Sequence, residues 1–250
     1  MSSIINPFAE EEKALETKID NVADDGLKVI INETEREERW KQRRIGKMTS
    51  SNFDNLMKVK KNGRMALKSG IDYLIEIVHQ RETGVDSEYV SNANFRWGHD
   101  HEEEAHLYYK KVTGIPMFSG TNDFKDILFV DDILKGVGDS PDGRTADGKG
   151  TAEYKCPING ANHLRNMALT SFNDTNAYFW QVMGHMLDPK VEWCDFVSFD
   201  PRYPDGHPNK IKILRTYRKD VLEPIARLTQ RLKYFNDLIE EGEIEEILNL

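Results

Sequence analysis

Asp142, Glu153 and Lys155 are two acids and an amine within 14 residues of one another, inside the string Ser140-Pro141-Asp142-Gly143 through Ala152-Glu153-Tyr154-Lys155. Asp147-Gly148 sits midway between the acids, and this dipeptide favours a tight hairpin because both positions tolerate positive φ. A two-residue turn there places Asp142 opposite Glu153, with Cβ atoms roughly 4.5–5.5 Å apart. A longer loop ending at Gly150 places Asp142 opposite Lys155 instead. In either register Glu153 and Lys155 share one strand face and Tyr154 points away. Hard cations such as Mg²⁺ take oxygen ligands and keep positions open for water and phosphate. Phosphodiester hydrolysis needs an activated water, charge neutralisation and a stabilised leaving oxygen, which one or two bound ions can supply. Lys155 would orient the water or stabilise charge developing in the transition state. The plainer alternative makes Asp142 a turn residue and Glu153/Lys155 an exposed strand pair.

Other residues could serve the same chemistry. Arg44 precedes Thr49-Ser50-Ser51-Asn52, a run of helix-capping types. A helix N-terminus offers unpaired N–H groups to a phosphate, and an arginine adds a bidentate fork. Tyr178, Gln181, Gly184 and His185 have the spacing of one helical face. Gln181 can both donate to and accept from a water or phosphate oxygen. Glu102 lies in His99-Asp100-His101-Glu102-Glu103-Glu104-Ala105-His106, where Ala105 stands at the place a zinc-protease pattern needs histidine. Gly46-Lys47 is no phosphate-binding loop of the nucleotide type, since Met48 replaces the required Ser/Thr and Lys41 the required Gly. Cys156 reads as a small packed residue.

These groups must be carried by a scaffold. Helical patterns are expected over 34–44, from the capping run into Phe53–Met57, over 65–83 and over 93–113, with Gly114 as a stop. Short strands are expected at Ile127–Val130, Leu134–Val137, Gly143–Thr145 and Thr151–Lys155. Two helices follow near 160–170 and 176–187, then strands Trp193–Phe199 and Lys210–Thr216. A long helix closes the chain from about Arg218 to Glu241, with Pro224 kinking its first turn or delaying its start. That order predicts one α/β (α+β) domain built on a mixed β-sheet flanked by helices. Residues 1–33 read as an acidic N-terminal arm, mobile or loosely docked, and 34–250 as a single domain.

Composition bounds the reading. Of 250 residues, 38% are hydrophobic, enough for one well-buried core, and the net charge is −9. Acid concentrates at Glu10–Glu16 and Glu240–Glu246, while bases cluster in Arg39–Lys47, Lys58–Lys68 and Lys210–Lys219. A phosphate backbone responds to the local field of a groove, so net charge leaves nucleic-acid binding open. No apolar run approaches the roughly 18 residues of a membrane span. No basic-then-apolar opening suggests a secretory signal. Two distant cysteines fit a reduced, cytoplasmic setting.

The motifs together resemble a known family. Pro141-Asp142…Glu153-x-Lys155 matches the PD-(D/E)xK nuclease signature. The fuller string through Cys156-Pro157 is similar to the phage lambda exonuclease group, also called YqaJ-type viral recombinases. Trp40-x-x-x-Arg44-Ile45-Gly46-x-x-Thr49-x-Ser51, Trp97-Gly98 with Glu102, and Tyr178-x-x-Gln181 resemble its other motifs, so the likeness spans about 40 to 235. It implies a restriction-endonuclease-like core. Glu102, Asp142, Glu153 and the Tyr154 backbone carbonyl become ligands for one or two Mg²⁺ ions (Mn²⁺ substituting), with Lys155 as catalytic lysine and Gln181 beside the centre. Arg44, Thr49, Ser50, Ser51, Ser140 and Tyr178 become candidates for binding DNA and its 5′-phosphate. The implied activity is 5′-to-3′ digestion of one strand of linear double-stranded DNA, leaving 3′ overhangs for a single-strand annealing protein. A homo-oligomer, a ring-shaped trimer, and a phage or prophage origin in a bacterial host are implied with it. Two departures are a Met183 where the family often carries a second glutamine, and a longer acidic arm. The competing expectations are a site- or structure-specific endonuclease on the same core, and a DNA-binding protein without catalysis.

Overall fold

The computed structural model describes residues 33–60, 65, 68–85, 93–119, 133–173 and 175–250. The chain divides into two units, Met1–Trp40 and Lys41–Leu250. The arm expected over 1–33 and the strand expected at Ile127–Val130 lie outside the described residues, apart from Glu33.

Helix α1 is Glu33–Arg44, strand β1 is Met48–Thr49, and a 3-10 turn at Ser50–Asn52 leads into α2, Phe53–Met57. Then come α3 (Lys68–Thr83), α4 (Ala93–Thr113), β2 (Met117–Ser119), β3 (Val137–Gly138), β4 (Gly143–Thr145) and β5 (Gly150–Lys155). The remainder is α5 (Gly160–Met167), α6 (Phe179–His185), β6 (Trp193–Phe199), β7 (Ile211–Tyr217), α7 (Leu222–Glu241) and α8 (Ile244–Leu248). The mixed sheet has the order β2-β4-β5-β6-β7, antiparallel at every pairing except β5 with β6. A separate parallel pair joins β1 to β3.

Several boundaries differ from expectation for local reasons. The expected strand Leu134–Val137 is a turn leading into β3. The closing helix starts at Leu222 after a 3-10 turn at Arg218–Asp220, which puts Pro224 in the first helical turn. Its missing N–H costs nothing there, because first-turn N–H groups have no intrahelical acceptor.

The sheet divides the core in two. On one face Cys194 and Phe196 of β6 pack with α2, α3, α6 and α7 through Phe53, Leu74, Trp180, Met183 and Leu232. On the other, Ala152, Tyr154, Val197 and Phe199 pack with Ala105 and Tyr109 of α4 and with Met117. Alternation along β5 therefore sends Glu153 and Lys155 toward the α6 side and Tyr154 toward α4.

Candidate functional site

The hairpin sets the site. Gly143 pairs with Ala152 and Arg144 with Thr151, a register that continues to Asp142 opposite Glu153. The connection is looser than a two-residue turn: it runs over Ala146–Lys149, with the Gly148 N–H donating to the Thr145 carbonyl at 2.9 Å. Side chains replace the innermost ladder bonds. The Gly150 N–H donates to Thr145 Oγ1 at 2.9 Å and the Lys149 N–H to Asp147 Oδ1 at 3.0 Å. Gly148 takes φ of 70°, which glycine adopts without strain.

Across the mouth of the hairpin Asp142 Oδ2 accepts from the Tyr154 N–H at 2.7 Å. A strand residue directs its N–H and C=O to the same edge, so the Tyr154 carbonyl lies on the Asp142 side of β5. Glu153, only 1% exposed, is held on three sides. Its Oε1 accepts from Lys155 Nζ at 2.5 Å and from Gln181 Nε2 at 2.6 Å. Its Oε2 lies 2.7 Å from His185 Nε2, and His185 Nδ1 lies 2.7 Å from Asp139 Oδ1. Helix α6 delivers both Gln181 and His185. It can approach because Gly184 has no side chain: a Cβ there would sit 2.8 Å from Ser50 Cβ and from the Phe53 ring.

Glu102 enters from α4. The Cys156 thiol, just past β5, donates to the His101 carbonyl at 3.5 Å, which brings this turn of α4 to the end of the strand. The Glu102 charge is felt at Asp142. Burial, then the charges of Glu153 and Glu102, push the Asp142 carboxyl well above its usual range. Glu153 goes the other way. Burial would raise it, but Lys155 and His185 outweigh burial and bring it to about 2. Burial alone would lower the Lys155 ammonium, yet Glu153 and Asp142 hold it above its ordinary value. The two adjacent carboxyls are thus driven in opposite directions.

The donor chemistry fits a hard divalent ion. Asp142 and Glu153 face each other at the hairpin mouth with the Tyr154 carbonyl on the same edge, and the Glu102 charge reaches Asp142, so the donors available are oxygens of the kind such an ion takes. Among the described residues no three His, Cys, Asp or Glu side chains converge as a ready-made cage. Both Glu153 oxygens are engaged by Lys155, Gln181 and His185.

A second polar cluster forms around Arg44. Its Nη2 donates to Thr49 Oγ1 at 3.1 Å, and Thr49 Oγ1 lies 3.5 Å from Ser51 Oγ. The capping run does not cap: neither Thr49 nor Asn52 makes a side-chain bond to the helix it precedes. Asn52 Nδ2 turns instead to Thr49 Oγ1 at 3.5 Å. The Tyr73 hydroxyl of α3 accepts from the Thr49 N–H at 2.8 Å. Ser51 is exposed, whereas Ser50 is buried beneath Gly184. Ser140 is partly buried between β3 and Pro141. Tyr178 stacks on Phe196 with ring centroids 5.4 Å apart, and Lys155 Nζ lies 5.1 Å from the Tyr178 centroid.

The structure thus gathers Asp142, Glu153, Lys155, Gln181 and Tyr178, with Glu102 close to Asp142, and separately gathers Arg44, Thr49 and Ser51. Sequence reasoning missed Asp139 and Tyr73, and noted His185 only as part of a helical face. The spacing of His185 from Gln181 was the available signal; nothing local marks Asp139 or Tyr73. Met183, where the family often has glutamine, is fully buried in the core.

Comparison with known proteins adds context. An alkaline exonuclease (LHK-Exo) from Laribacter hongkongensis superposes with a TM-score of 0.67 at 29% identity, covering 85% of this chain and 96% of that one. The same enzyme in complex with dAMP gives 0.64 at 29% identity, covering 84% and 95%. A phage related exonuclease from Haemophilus somnus 129PT shares the fold, with a TM-score of 0.53, 15% identity and coverage of 78% and 96%. No curated protein matches the sequence. The YqaJ-like viral recombinase domain matches residues 39–187, more than half the chain and the stretch that carries Arg44, Glu102, Asp142, Glu153, Lys155, Gln181 and His185, and the protein belongs to that family.

Proposed function

We propose that this protein is a divalent-cation-dependent exonuclease that degrades the 5′-ended strand of linear duplex DNA and leaves a 3′ overhang for an annealing partner. The convergence of Asp142, Glu153 and Lys155 at one hairpin mouth carries this reading. Its likeness to an alkaline exonuclease, one form of which was solved with dAMP, supports the substrate class. Assembly as a ring-shaped trimer rests on the family resemblance alone.

Asp142, Glu153, Glu102 and the Tyr154 carbonyl would hold Mg²⁺, with Mn²⁺ able to replace it. Bound there, the cation supplies Lewis acidity and neutralises charge on the phosphate. The chain's own groups supply the rest. Lys155 stays protonated beside Glu153 and directs a cation at the reacting phosphate, where preorganised charge is most effective. Gln181 keeps Glu153 in place and presents its amide to the same space. Arg44, with the Thr49 and Ser51 hydroxyls, would receive the terminal 5′-phosphate through charge-assisted hydrogen bonds.

The test is nucleotide release from linear duplex bearing a 5′-phosphate or a 5′-hydroxyl, with Mg²⁺ or with chelator. Release that requires Mg²⁺, is faster from the phosphorylated end and is abolished in Asp142→Ala is the expected result. Chelator-insensitive release, or cutting of closed circles at the same rate, would overturn the proposal.

A further inference from the structure

His185 lies against Glu153 without belonging to the proposed cation-binding or phosphate-binding sets. We infer that it is a positioning residue for the Glu153 carboxylate, backed by Asp139, and that it sets how the cation is received. The inference rests on the proposed cation site and extends it.

The geometry is a buried line of three side chains. Asp139 Oδ1 and His185 Nδ1 are 2.7 Å apart, as are His185 Nε2 and Glu153 Oε2. The three residues are 4%, 2% and 1% exposed. Each imidazole nitrogen faces a carboxyl oxygen, so His185 cannot turn without abandoning one acid. Asp139 follows β3 and Glu153 lies within β5, so the imidazole joins two segments that do not pair with each other. Helix α6 is seated closely enough to place the ring there because Gly184 rests on Ser50 and Phe53.

One consequence concerns Glu153. With Oε2 committed to His185, the carboxylate cannot rotate freely, and Oε1 is left as the oxygen shared by Lys155 and Gln181. Partners of this kind, one bond removed from a cation, typically change its affinity 10–100-fold when lost. His185 therefore acts on the affinity for the cation, with DNA affinity untouched.

The experiment is calorimetric titration of Mn²⁺ into the full chain without DNA, for wild type, His185→Ala, His185→Gln and Asp139→Asn. Chelator-treated melting curves establish folding, and DNA affinity is measured in chelator. His185→Ala is expected to weaken Mn²⁺ binding by about tenfold or more. Asp139→Asn should weaken it less, His185→Gln should recover part of the loss through its remaining donor, and DNA affinity should stay unchanged. If His185→Ala does not fold, the comparison rests on His185→Gln and Asp139→Asn. Folded variants that bind Mn²⁺ like wild type overturn the inference, as does a loss of DNA affinity equal to the loss of Mn²⁺ affinity. Wild type that binds no Mn²⁺ would instead sink the cation site itself, a separate outcome.

Discussion

The two faces of β5 are built from adjacent residues and opposite materials. Toward α4, Ala152 and Tyr154 pack among Ala105, Tyr109 and Met117, with the Tyr154 ring edge-on to His106 and its hydroxyl 3.1 Å from His106 Nδ1. Toward α6, Glu153 is enclosed as well, yet it is held by an ion pair and hydrogen bonds, and the half-buried Lys155 adds a cation–π contact to the Tyr178 ring. Burying a charge is costly unless it is paired and hydrogen-bonded, so each partner lost from the α6 face leaves a buried charge less well compensated.

Substitutions should separate the faces cleanly. On the α6 side, Lys155→Ala should lower the rate of digestion by about 10²–10³-fold, the range seen when one preorganised electrostatic group is removed. Single-turnover release from a labelled 5′ end measures it, and a loss below tenfold would put Lys155 outside the chemistry. Gly184→Ala is expected to be the most disruptive for folding, since its Cβ would meet Ser50 Cβ and the Phe53 ring at 2.8 Å. Overpacking of this kind costs about 1–3 kcal/mol, which urea unfolding resolves. On the α4 side, Tyr154→Phe should cost about 1 kcal/mol through its hydroxyl bond and leave digestion near wild type.

Proton linkage sharpens the contrast. Glu153 is depressed from 4.5 to about 2, so its contribution to stability is present above its unfolded value and is lost as pH falls through about 2. His185 is raised from 6.5 to about 10, by Asp139 and Glu153 against the effect of burial. Its contribution is complete below about 6.5 and is lost as pH rises through about 10. In chelator, the stability penalty of His185→Ala should thus shrink steadily from pH 6.5 to 10, while that of Tyr154→Phe stays level. Parallel curves for the two variants would refute the assigned charges.

The sequence was most legible where interactions are local. Helix Ala93–Thr113 and strand Trp193–Phe199 fall at their expected bounds, because periodicity and flanking turn residues define them. The register placing Asp142 opposite Glu153 was one of two that the turn chemistry allowed. Legibility failed where a side chain chose a distant partner. Thr49 looks like a cap, but its hydroxyl is taken by Arg44 and its N–H by Tyr73. Asp139 carries no local sign of function, and only folding brings it to His185.

The single parallel pairing in the sheet has a temporal consequence. A hairpin such as β4–β5 closes in about 1–10 μs, as its strands are neighbours in the chain. Its parallel partner β6 requires a crossover that includes α5 and α6, and only that crossover delivers Gln181 and His185. Loop closure over such a span is slower than local pairing. Until that crossover closes, the hairpin carries Asp142, Glu153 and Lys155 without the two groups from α6. Gln181 and His185 therefore reach Glu153 only once α6 has docked, so the site is the last part of the sheet to be completed.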